Sequence, residues 1–180
     1  MRRVAVTWVV SSMAILSGCG GRGESPAKVQ PASASAATAI APAALSAAAY
    51  VAAASSIDLY QVKSAELALQ RAQDPANRAF AQRALRAHEG TSAQLSMAGR
   101  RLNLLPTATL DPEHQARLDA LIATSDFDST YRDQQNIVLQ EALRLHSNYA
   151  KAGQSPTLRP VAVNAENVMR ANLQALRESR

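Results

Sequence analysis

From about Ala48 onward, apolar side chains recur at steps of three and four residues, the spacing that gathers them on one face of an α-helix. Tyr50, Ala54, Ile57, Gln61, Ala65, Ala68 and Ala72 form the first such face. Asp74-Pro75 then closes one helix and opens the next. Asp accepts hydrogen bonds from the free N–H groups of a helix start, and Pro lacks the N–H that the first turn leaves unpaired. The second face is Phe80, Ala84, His88, Thr91, Leu95, Ala98 and Leu102, a bundle-type seam that Gly90 and Gly99 weaken. Leu105-Pro106-Thr107-Ala108-Thr109 reads as a connection, and Asp111-Pro112 repeats the start signal for a short helix carrying Leu118, Leu121 and Ile122. From Phe127 to Lys151 a further helix places Tyr131, Gln135, Val138, Ala142, His146 and Tyr149 on one face, and Gly153 stops it. Ser155-Pro156 opens the last helix, where Val161, Ala165, Met169, Asn172 and Leu176 line up and Pro160 falls in the tolerated first turn.

Four long helices, one short helix and short loops predict an all-α, up-and-down four-helix bundle over residues 48–180. Composition agrees. Ala is abundant, only 7 residues are Gly, and aromatic residues make up 4% of the chain, which favours helix over sheet. So many seam positions are Ala that helices can approach closely while each contact buries little area. Modest stability is expected unless Tyr50, Phe80, Phe127, Tyr131 and Tyr149 cluster.

The first 47 residues have a different pattern. Arg2-Arg3 precedes a mostly apolar run, Val4 to Ile15, of signal-peptide length. It is too short to span a bilayer, which takes about 20 residues. Leu16-Ser17-Gly18-Cys19 then resembles a bacterial lipobox. That resemblance implies cleavage before Cys19, a diacylglycerol thioether on its sulfur and acylation of the new terminus. Residues 1–18 are thus expected to be a lipoprotein signal peptide. Cys19 is the only cysteine, so no intramolecular disulfide can form, and acylation removes a lone thiol that an oxidising compartment would attack. Gly20, rather than Asp, follows Cys19, which by analogy with lipoprotein sorting favours the outer membrane. Residues 19–47, rich in Ala, Ser and Pro, show no apolar face and read as a flexible tether with a span of about 30 Å.

Charge adds little. Loss of residues 1–18 removes two of the 19 basic side chains and none of the 14 acidic ones, so the formal +5 falls to +3. The arginines are scattered, without the clustered basic face that nucleic-acid binding requires. No nucleic-acid partner is expected; the expected partners are a membrane, through the lipid on Cys19, and an envelope protein not identified by the residues.

The order and spacing of Tyr50-Val51, Leu67-Ala68, Arg78-Ala79-Phe80-Ala81, His88, Leu105-Pro106, Phe127-Asp128, Tyr131, Gln135 and Leu158 resemble the bacterial domain-of-unknown-function family 4142. The resemblance covers about Ala48 to Arg180 and implies an exported, often lipid-anchored, ferritin-like helical bundle. It implies no activity. The family often carries Glu at Gln61, Asp-His at Ala87-His88, and His at Leu139 and Asn172. Of that set only His88 remains here.

A ferritin-like di-metal site needs inward Glu residues and Glu-x-x-His pairs, and this chain has no Glu-x-x-His. His88 with Gln61 and Asn172 supplies too few anionic ligands for a di-iron centre. The expected reading is a buried polar cluster of His88, Gln61 and Asn172, with Thr91 as a further partner of His88, no metal and no cofactor. His146 is expected half-exposed and His114 solvated. Asp126 and Asp128 read as charges complementing a helix N-terminus. No Gly-x-Ser-x-Gly elbow, Walker loop or dinucleotide fingerprint is present. The residues therefore point to a non-enzymatic, lipid-anchored envelope module. The alternative is a bundle that binds metal or a small ligand around His88.

Overall fold

The computed structural model describes residues 45–179. The signal-peptide reading, Cys19 and most of the tether lie outside the described residues. Five helices follow in order: α1 (Ala47–Arg71), α2 (Pro75–Arg100), α3 (Pro112–Ala123), α4 (Phe127–Ala152) and α5 (Arg159–Glu178).

Local chemistry explains most of the boundaries. Ser46 Oγ accepts from Ala49 N–H at the start of α1. Asp74 and Asp111 cap α2 and α3 through Ala76 and His114 N–H, each with Pro in the first turn. Asp126 makes no side-chain cap for α4. The last helix begins later than its Ser155-Pro156 signal: Ser155 C=O accepts from Leu158 and Arg159 N–H in a preceding turn, and α5 proper starts at Arg159. Gly153 ends α4 at a negative φ of −62°, so a left-handed turn is not what demands glycine there. A Cβ would lie 2.5 Å from the Tyr149 ring, so close approach of that ring is the reason. Gly99 is likewise pressed against the Leu104 carbonyl, where the chain folds back through Asn103 at φ 55°.

The long helices form a square in which every neighbour is antiparallel. Tyr50 meets His146 and Ser64 meets Gln135, so α1 and α4 run oppositely. Arg83 meets Asn172 and Gln94 meets Asn164, so α2 and α5 do too. The link from α2 to α4 is therefore one long crossover, with α3 lying along α1 and α4. A single long crossover is the connectivity of ferritin-like bundles. The bundle thus has a near end, where α1 and α5 start and α2 and α4 finish, and a far end at the α1–α2 turn.

The seams face inward. Tyr50, Ala54, Ile57, Gln61, Ala65, Ala68 and Ala72 are all buried, as are Phe80 to Ala98 of the second seam and Tyr131 to Tyr149 of the α4 seam. The aromatic residues gather as two groups rather than one. Tyr50 stacks on Tyr149 at 3.8 Å near one end. Phe80 and Phe127 flank Tyr131 at 6.4 and 6.0 Å near the other. Each group anchors its own apolar cluster. Ile122, expected on the α3 seam, is exposed, because α3 turns Leu118 and Leu121 to the bundle.

Candidate functional site

Between the two apolar clusters lies a belt of buried polar side chains. Asp58 enters from α1, His88 and Thr91 from α2, and His146 from α4. The Asp58 carboxylate accepts from His88 Nδ1–H at 2.8 Å and from the Thr91 hydroxyl at 2.8 Å, on the same oxygen. His88 and Asp58 side chains are 0% and 3% exposed. Two donors on one carboxylate oxygen satisfy a charge that would otherwise be costly to bury. Asp58 is the partner that the sequence pattern did not supply. The expected bonding of His88 to Gln61 and Asn172 gives way to it, and the Thr91 hydroxyl meets His88 both through the shared carboxylate and at the His88 backbone carbonyl, 3.2 Å away.

His146 is buried at 2% exposure, not half-exposed. His146 stands more than a turn before the end of α4, and Tyr50 covers its inward face. Tyr50 Oη lies 3.0 Å from His146 Nδ1. Burial pushes the imidazole down to about 4, with the neighbouring His88 adding to the effect and Asp58 and Glu166 opposing it. His146 is therefore neutral, Nδ1 accepts from the Tyr50 hydroxyl, and Nε2 carries the proton. Burial, then Asp58 and Tyr149, raise the Tyr50 hydroxyl far above the ordinary phenol value.

Gln61 and Asn172 are as buried as His88, but no hydrogen bond joins the three. Gln61 sits one turn past Asp58, and neither its amide nitrogen nor its amide oxygen has a partner. Asn172 Oδ1 accepts from Arg83 Nε at 3.1 Å while its Nδ2 stays unpartnered. Deeper in the bundle, Gln135 Nε2 donates to Ser64 Oγ at 3.0 Å, and burial raises the unpartnered Tyr131 hydroxyl far above its ordinary value. His88 Nε2 and His146 Nε2 are unpartnered too.

His114, expected solvated, is buried at 2% exposure because α3 lies flat on α1. Its Nδ1 bonds Asp111 Oδ2 at 2.7 Å beside Ser56. Partial burial pushes the Asp111 carboxyl up, but hydrogen bonds from the His114 backbone and ring and from Ser56 outweigh it and hold the group below its ordinary value. Asp128 does more than complement a helix start. Its carboxylate accepts from Gln73 N–H at 2.9 Å, Asp74 N–H at 3.3 Å and Asn77 Nδ2 at 2.8 Å, pinning α4 to the α1–α2 turn. Burial works against that carboxylate, yet these bonds and Arg78 hold it below its ordinary value.

Among the described residues, no three His, Cys, Asp or Glu side chains form a group that could hold a metal ion. Among them too, no helix is long and apolar enough to cross a membrane. The belt's chemistry is hydrogen bonding between helices, with several donors and acceptors left over.

Two solved structures are similar in fold. CopM in the Cu(II)-bound form aligns with a TM-score of 0.64 at 18% identity, over 75% of this chain and 95% of that one. CopM in the Ag-bound form gives 0.61 at 18%, over 74% and 94%. No curated protein matches the sequence. A family model, by contrast, matches residues 30–178. The chain therefore belongs to the family described as Domain of unknown function (DUF4142).

Proposed function

We propose that this protein is a lipid-anchored component of the bacterial cell envelope, held at the periplasmic face of the outer membrane by acyl chains on Cys19. In this reading it works through its surface and not by catalysis. The carrying observation is Leu16-Ser17-Gly18-Cys19 placed directly after a short basic and apolar segment. Two or more acyl chains anchor stably where one does not. Within the belt, Asp58 accepts from His88 and Thr91, an arrangement that ties α1 to α2. Crosslinking from the intact lipoprotein in membranes tests the proposal: a specific attached partner is expected, and its clean absence counts against an interaction role.

One observation favours a second reading, metal or small-ligand binding around His88. His88 Nε2 is buried and unpartnered, and its lone pair is free because Nδ1 donates to Asp58. Imidazole suits copper and other late transition metals, and CopM, similar in fold, has been solved with Cu(II) and with Ag. Elemental analysis of the purified protein separates the readings. Stoichiometric metal, lost in His88→Ala, would establish the second; its absence after loading with Cu or Ag favours the first.

A further inference from the structure

Charge is unevenly distributed along the bundle. The near end is built from residues 45–57, 90–110 and 142–165, and none of these three stretches contains an Asp or Glu. Arg100, Arg101, Lys151 and Arg159 are all exposed there. Among the described residues none of the four is in an ion pair. Glu166, the carboxylate that feels Lys151, is already bonded to Arg170 at 2.6 Å. Arg100 and Lys151 complement the C-termini of α2 and α4, which accounts for two of the cations. Arg159 has no such explanation, because it opens α5, where the helix dipole disfavours a positive charge.

Four of the six large apolar side chains exposed among the described residues lie at this end: Leu45, Met97, Leu105 and Val163, with Leu105 72% exposed. Two open grooves meet across Pro156 and Pro160; Met97 and Arg101 line one, Arg159 and Val163 the other. Cations interleaved with apolar side chains match a lipid interface, where basic groups meet phosphate and apolar groups enter the headgroup boundary. The chain also reaches this end from its N-terminal side, since α1 starts here and residues 20–44 separate Cys19 from Leu45.

We propose that this end of the bundle docks on the anionic leaflet to which Cys19 is tethered, through Arg100, Arg101, Lys151 and Arg159 with Met97 and Val163 set into the headgroup layer. The orientation rests on the anchored-envelope reading. The contact itself rests on the charge and apolar pattern alone. Docking turns the α1–α2 turn and the start of α4 away from the membrane, so the far end is the one presented to a partner.

The test places the full-length lipoprotein on phosphatidylcholine vesicles with and without phosphatidylglycerol. An environment-sensitive fluorophore is attached at Met97→Cys, and in a second sample at Ile122→Cys on the far half. The Met97→Cys label is expected to enter an apolar environment only with phosphatidylglycerol, and high salt is expected to reverse it. The Ile122→Cys label should not respond. Each cation near an anionic surface strengthens adsorption about fivefold, so Arg100→Gln/Arg101→Gln/Arg159→Gln should weaken docking about 100-fold with unchanged helical content. Equal signals on both vesicle types, equal shifts at both labels, or indifference to the triple substitution would overturn the proposal. Anchoring is read separately, from flotation with phosphatidylcholine alone. If that fails, the anchor reading falls, and the Met97→Cys label in a Cys19→Ser chain on phosphatidylglycerol vesicles still decides the docking surface.

Discussion

His88→Ala is the substitution that most directly probes the polar belt. It removes the Nδ1–H donor from a carboxylate that is 3% exposed and leaves Asp58 with the Thr91 hydroxyl alone. Breaking a buried pair from one side costs about 3–5 kcal/mol, since the remaining charge stays buried and underpaired. Thr91 is still in place, so the lower end applies, about 3 kcal/mol. For a bundle of this size that lowers Tm by about 10 °C. Thermal and urea unfolding followed by circular dichroism would measure it. A double-mutant cycle of His88→Leu with Asp58→Leu sharpens the inference. Once His88 is also replaced by Leu, no buried charge is left without a partner, and the double variant should recover most of the loss suffered by either single variant. A single loss below about 1 kcal/mol, or strictly additive losses, would refute the structural reading of the pair.

Four further outcomes follow from the geometry. His146 titrates near 4 when folded and near 6.5 when unfolded, so the unfolded chain binds more protons in between. Stability should be full above pH 6.5 and fall by up to about 3 kcal/mol by pH 4, and His146→Phe should flatten that slope in a pH series of urea melts. Asp128→Ala removes three hydrogen bonds at the α1–α2 turn and should cost about 2 kcal/mol by chemical unfolding; the depressed carboxyl means its contribution disappears only as pH falls below the ordinary Asp range. Gly153→Ala drives a methyl into the Tyr149 ring and should lose about 1–3 kcal/mol, whereas Gly90→Ala, with nothing near the added methyl, should gain up to about 1 kcal/mol. Cys19→Ala should leave an uncleaved or soluble chain in a fractionated cell; unchanged membrane partitioning would contradict the anchor.

The helices were legible because their signals are local. Asp74-Pro75 and Asp111-Pro112 announce two starts by capping chemistry, and the three-and-four spacing picks out inward residues without any tertiary knowledge. Asp58 escaped because an acid is ordinarily assigned to the solvent face. Yet it lies four residues after Ala54 and three before Gln61, squarely on the α1 seam, and it is the only acid between Ala47 and Ala65. A lone carboxylate on an apolar seam, matched by a lone histidine on the next helix, is the signal that would have found the pair. His146 and His114 were misjudged because both stand near helix ends. Whether an end meets water depends on what packs over it, here Tyr50 for one and Ser56 with Asp111 for the other. The near-end charge pattern was hidden for the same reason: 45–57, 90–110 and 142–165 are remote in sequence and become one surface only through the crossover topology.

The most direct test of the whole account is the intact mass of the mature protein extracted from membranes. The account predicts a chain starting at Cys19 and carrying a diacylglycerol thioether and an N-acyl group. A chain that retains residues 1–18, or one cleaved elsewhere with a free thiol at Cys19, would contradict it.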